Sequence, residues 1–171
     1  MKKNVLFSFA MLLGFALVHA QGDFKAGIGA GLPIGDAGDL ATFAIAVDLG
    51  YLFEVSDDFQ VGPTVGYSHS FGEETDIVVD GEEIGNVEVD DVQFIPIGGA
   101  ARFNLSETFS LGADLGYAIG VNDGNDGGFY YSPRAAYSVS EALDIVFAYR
   151  GVSLDGGSWD ILSLGLEFDI N

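Results

Sequence analysis

From residue 43 to residue 55 every second side chain is apolar. Phe43, Ile45, Val47, Leu49, Tyr51, Phe53 and Val55 fall on one side of an extended chain. Thr42, Ala44, Ala46, Asp48, Gly50 and Glu54 fall on the other. Period two is the strand period, and an apolar face this long and this aromatic does not suit water. Seven more stretches alternate in the same way: about 24–32, 59–72, 92–104, 109–121, 129–139, 143–152 and 160–170. Lengths near ten residues fit strands tilted across a bilayer. The pattern predicts an all-β fold, an eight-stranded antiparallel up-and-down transmembrane β-barrel with lipid outside and polar groups inside.

The inward set differs in kind from the outward one. It is rich in glycine, including Gly27, Gly29, Gly31, Gly98, Gly112, Gly116 and Gly165. It also carries charge: Lys25, Asp48, Glu54, Arg102, Asp114, Arg134, Asp144, Arg150, Glu167 and Asp169. A soluble ligand-carrying barrel has the reverse arrangement, apolar within and charged without. Buried cations need partners. The expected pairs are Arg134 with Asp114 and Asp48, Lys25 with Glu167 and Asp169, and Arg102 with Glu54 or Asp144; Arg150 joins the same lumen cluster. An eight-stranded barrel is just wide enough for side chains to fill it, so pairing should plug the lumen.

The first twenty residues read differently. Lys2 and Lys3 precede an apolar run from Val5 to Val18, and Val18-His19-Ala20 ends in a small residue before Gln21. This is the pattern of a secretory signal peptide over 1–20, cleaved between Ala20 and Gln21, with the barrel domain over 21–171. Loss of Lys2 and Lys3 leaves four cations against 26 acids, so the net charge moves from −20 to 4 − 26 = −22. That charge excludes nucleic acid as a partner. There is no cysteine, hence no disulfide or lipid-modified cysteine.

The connections alternate in length. Those at 56–58, 104–108 and 140–142 are short, 73–91 is long and acidic, and 122–128 and 153–158 are rich in Gly and Asp. Short periplasmic turns and longer outer loops are the outer-membrane pattern. Pro63, Pro96 and Pro133 fall within strands and are expected to mark bulges. Aromatic girdles are expected at both interfaces. Phe24, Phe53, Phe59, Phe103, Phe109, Tyr137 and Phe168 would form the periplasmic one. Phe43, Phe71, Tyr117, Tyr131, Tyr149 and Trp159 would form the outer one.

On these features the chain resembles the small eight-stranded outer-membrane barrels, the OmpA/OmpX-like outer membrane protein β-barrel domain group. The tract Phe94-Ile95-Pro96-Ile97-Gly98-Gly99-Ala100-Ala101-Arg102-Phe103 is similar to the Pro-containing fourth strand of Bacteroidetes members. The resemblance covers about 22–171 and implies the bacterial outer membrane, with membrane lipids and the barrel-assembly machinery as partners. Many proteobacterial members end on an aromatic residue used in assembly recognition. This chain ends Phe168-Asp169-Ile170-Asn171, so an assembly signal would be displaced or different.

Candidate chemistry is sparse. His69 faces outward, while Ser68 and Ser70 point to the other face of the strand, so no same-face nucleophile is at hand and no catalytic residue is assigned. The tract 73–91 carries nine carboxylates, which suit a divalent cation or a basic extracellular partner, but in no fixed ligand spacing. It also alternates around Asp80-Gly81, as a projecting hairpin would. Asn122-Asp123-Gly124-Asn125-Asp126-Gly127 lacks the spacing of a calcium loop and reads as a turn. No cofactor or resident metal is expected. The reading is a non-enzymatic outer-membrane barrel with an envelope-structural or surface-interaction role. The alternatives are a narrow transporter or secretion-system accessory barrel and, third, a lipid-modifying enzyme.

Overall fold

The computed structural model describes residues 22–79 and 82–170, and from 74 to 88 the backbone alone. The signal segment expected over 1–20 and its expected Ala20–Gln21 junction lie outside the described residues. Ten strands follow in order: β1 (Gly22–Ile34), β2 (Ala41–Ser56), β3 (Phe59–Gly72), β4 (Glu74–Val79), β5 (Glu82–Glu88), β6 (Val92–Asn104), β7 (Phe109–Gly120), β8 (Gly128–Ser140), β9 (Leu143–Leu154) and β10 (Gly157–Ile170). Eight of them close into a barrel in the order β1-β10-β9-β8-β7-β6-β3-β2, every neighbour antiparallel. β4 and β5 form a separate hairpin in the long connection.

Closure is set by the alternation itself. Where β1 meets β10, Ala26, Ile28, Ala30 and Leu32 lie opposite Phe168, Leu166, Leu164 and Leu162, while Lys25, Gly27, Gly29 and Gly31 lie opposite Asp169, Glu167, Gly165 and Ser163. A slip of one residue would turn every one of these side chains to the wrong face. On β2 the two faces separate cleanly: Val47 is 46% exposed and Ala44 is 2% exposed. A shell of exposed Leu, Ile, Val and Phe around a charged interior is stable only in a lipid solvent, and a closed barrel satisfies its backbone there without edges.

The prolines do not sit at the bulges. Register shifts occur at Ala41/Phe43, Glu54/Ser56 and Ser138/Ser140 instead. Beside each proline the ladder lapses on one side and resumes in the same register: between Thr64 and Val61, between Val65 and Ser68 opposite Pro96, and between Tyr131 and Arg134. Proline lacks the N–H for one bond, and the barrel tolerates that gap without inserting a residue. Glycine has a different task where β6 and β7 approach closely. A Cβ on Gly98 would lie 2.1 Å from the Leu115 carbonyl oxygen, and one on Gly116 2.1 Å from that of Ile97.

The interior is layered. At the long-loop end Phe94, Tyr130, Val152, Trp159 and Ile161 form a buried apolar cluster, on which Ala37 of a short 3-10 turn (Gly35–Ala37) folds. Trp159 therefore belongs to the interior, not to the outer girdle. It shares strand parity with Ile161, Ser163 and Glu167, and its indole Nε1–H donates to Ser70 Oγ at 3.1 Å within the barrel. Tyr131 and Tyr149 do face outward. They stack with centroids 6.0 Å apart, and Tyr131 covers Gly151, where a Cβ would lie 2.3 Å from its ring. The charged layer lies at mid-depth. At the short-turn end the lumen widens into a polar cavity of about 710 Å³ bordered by Asp57, Asp58, Glu107 and Glu141.

Candidate functional site: the lumen ion-pair layer

Four ion pairs cross this interior, one for each cation of the described chain. Lys25 and Asp169 are direct cross-strand partners on β1 and β10 and bond through Nζ and Oδ1. Arg102 on β6 meets Asp114 on β7, Nη1 to Oδ1 at 2.6 Å, and Nη1 also donates to the Ala101 and Ala113 carbonyls at 3.0 and 3.3 Å. Arg134 on β8 reaches over β9 to Glu167 on β10, Nη1 to Oε2 at 2.8 Å. Arg150 on β9 spans β10 and β1 to grip Asp48 on β2 with both nitrogens, Nη1 to Oδ1 at 3.0 Å and Nη2 to Oδ2 at 2.5 Å. Its Nε–H donates to Ser163 Oγ at 3.2 Å.

The pairing departs in part from that expected. Arg134 takes Glu167 in place of Asp114 and Asp48. Arg102 takes Asp114 in place of Glu54 or Asp144, and Asp48 goes to Arg150. The register explains the exchange. Arg102 and Arg134 both lie opposite Gly112, one from each side of β7, so Asp114 one pleat further is a diagonal neighbour of both. Glu54 is exposed on β2, and Asp144 borders the polar cavity. Neither has a cation partner among the described residues.

These groups are held away from bulk water. The side chains of Arg102, Asp114, Arg134 and Glu167 are each 10% exposed or less. Loss of one partner of such a pair leaves an uncompensated charge and costs about 3–5 kcal/mol. The layer is thus electrostatically interlocked, with three guanidinium groups anchored to carboxylates on three different strands.

His69 has one polar neighbour on its own strand and one beyond it. Its Nε2 lies 2.9 Å from Asp91 Oδ2, and its Nδ1 lies 3.2 Å from the Tyr67 hydroxyl, which donates to Gln93 Oε1 at 3.0 Å. Asp91 also accepts the Gly72 N–H at 3.0 Å, and that bond holds its carboxyl below the usual value. Because His69 and Gln93 are register partners, Asp91 is a diagonal neighbour. Ser70 points inward to Trp159. In the loop after β7, Asn122 Oδ1 accepts the Gln93 N–H and Asn125 Oδ1 accepts the Gly127 N–H, so these oxygens fold the turn itself.

The family model for the outer membrane protein β-barrel domain matches residues 7–169. This chain belongs to that family. It is a protein of the bacterial outer membrane. No curated protein matches the sequence. Similar solved structures include Ail of Yersinia pestis in a phospholipid nanodisc, at 15% identity and a TM-score of 0.57, covering 88% of this chain and 100% of that one. A de novo designed transmembrane β-barrel is similar at 14% identity and a TM-score of 0.53, covering 86% of this chain and 95% of that one. Neisserial surface protein A is similar at 16% identity and a TM-score of 0.50, covering 88% of this chain and 99% of that one. At these identities the likeness concerns the fold alone.

Proposed function

We propose that this protein is an envelope-structural and surface-exposed barrel whose lumen is closed to solutes. The observation that carries the reading is the grip of Arg150 on Asp48 across the lumen, beneath the apolar cluster around Trp159. One layer blocks by charge pairing and the other by packing. The short-turn end would face the periplasm and the hairpin the exterior, as loop lengths suggest. Membrane lipids surround such a barrel, and the barrel-assembly machinery would insert it. Single-channel recording in planar bilayers tests the closure: the reading predicts low or no steady conductance.

The surface that such a barrel presents is anionic. Lys25, Arg102, Arg134 and Arg150 all lie within strands, so the long loops carry no Lys or Arg. One Ail structure is a complex with the heparin analogue sucrose octasulfate. A polyanion of that kind has no counter-charge on these loops, so the partner class for residues 73–91 is cationic, a basic protein surface or divalent cations. A second reading, a narrow conduit or secretion-system accessory, draws on the polar cavity of about 710 Å³ at the short-turn end. Lipid-modifying activity at His69 is third. Unchanged lipid A masses on deletion of the gene would remove it.

A further inference from the structure

We propose that the Arg134 guanidinium binds two internal water molecules, one in each of two small cavities that flank it. Arg134 is 7% exposed and spends Nη1 on Glu167, while its Nε and Nη2 have no hydrogen-bond partner among the described residues. Buried donors of this kind find partners in stable proteins, because leaving them unmet is costly. Two cavities share Arg134, Asp48 and Glu167 in their walls. Their volumes are about 10 and 20 Å³, and a single water needs roughly 10–15 Å³ and two to four polar partners.

The chemistry of the walls selects water. The occupant must accept from Arg134 and donate to the carboxylates of Asp48 and Glu167. A halide only accepts, and both carboxylates would repel it. A metal cation would be repelled by Arg134 and by Arg102 or Arg150 beside it. Water does both tasks without charge.

Three of the four glycines around the cavities support this; the fourth, Gly165, stands where a Cβ would lie 2.6 Å from the Ile28 carbonyl oxygen. Gly27 and Gly29 line one cavity and Gly50 the other. None is among the positive-φ glycines. A Cβ would meet its nearest atom at 3.6 Å on Gly27, 3.4 Å on Gly29 and 3.7 Å on Gly50, all ordinary contact distances. Unlike Gly98 and Gly116, these positions have room for a methyl group. Space kept for water beside Arg134 accounts for the absence of a side chain at these three positions. The proposal goes beyond the closed-lumen reading: the layer is wet, but each water is held singly.

Magnetic relaxation dispersion of water nuclei on the detergent-solubilised full chain counts long-lived internal waters. Gly29→Ala and Gly50→Ala should each lower the count by one, and the double variant by two. Each should also lower the urea midpoint, although alanine in a dry cavity would raise it by filling space and restricting the unfolded chain. If Gly29→Ala fails to fold, Gly27→Ala takes its place. No long-lived water in the wild type, unchanged counts in folded variants, or raised midpoints would overturn the proposal. A count that changes when sulfate replaces chloride would overturn it in favour of an anion site.

Discussion

Arg150 and Asp48 bond in bidentate fashion from strands that do not touch, since β10 and β1 lie between β9 and β2. The pair is a strut across the lumen. Asp48→Ala should destabilise the barrel by about 3–5 kcal/mol, because it leaves the Arg150 charge buried without a partner. The exchanged double variant, Asp48→Arg with Arg150→Asp, should recover part of that loss. Urea unfolding, followed by the mobility shift of unheated samples, measures both. Equal losses in the single and double variants would mean that the contact itself contributes little.

Trp159 reports where the apolar cluster sits. It is the one tryptophan of the chain, buried inside the barrel with its N–H on Ser70. Its emission should be blue-shifted and resist quenching by lipids brominated along their chains. Strong quenching would return it to the lipid-facing girdle. Trp159→Phe should cost about 1 kcal/mol, the worth of one hydrogen bond between neutral groups.

Charge on the lipid face should be punished by depth. Val47→Arg or Leu164→Arg should cost about 2–4 kcal/mol and impair assembly, since the mid-bilayer offers no water. Cysteine substitutions at the same sites should react with a lipid-phase label, and one at Ala44 should not.

Asp91 gives the long-loop end a pH dependence. The Gly72 N–H lowers its carboxyl pKa in the folded protein. A depressed acid stabilises the folded state above its unfolded pKa and loses that contribution as pH falls through the folded value. The tether between Gly72 and the segment before β6 should therefore be intact at neutral pH and released only below the ordinary carboxylate range of about 4. Chemical-shift titration of the Gly72 amide checks it. Release of the Gly72 amide well above that range would contradict the assignment to Asp91.

Much of the fold was legible because period two reports which face a residue takes, and lipid makes the two faces chemically opposite. The Lys25–Asp169 contact was legible for a related reason: first and last strands must meet for a barrel to close. Parity says nothing about which diagonal neighbour an arginine chooses. Asp114 stands equally near Arg102 and Arg134 in register, so only the side-chain paths decide. Nearness to a strand end points Trp159 toward the girdle, whereas its parity with Ile161 points it inward, as the structure has it. The Asp91 partner of His69 was hidden among loop acids, although the His69–Gln93 register would have exposed it.

The hairpin of β4 and β5 is paired within itself, apart from the barrel sheet. Deletion of about 75–89 should leave the barrel folded, since connecting loops tolerate loss, and should abolish binding of any cationic surface partner. Protease added to whole cells should cut this region first. Cleavage only after the periplasm is opened would invert the topology.

Closure of the lumen is tested most directly by swelling of proteoliposomes in an iso-osmotic sugar solution. The purified full-length barrel should swell vesicles no faster than protein-free controls, and Arg134→Ala or Asp48→Ala should raise the rate only if the barrel stays folded. Rapid swelling with the wild-type protein would contradict the closed-lumen account and favour the conduit.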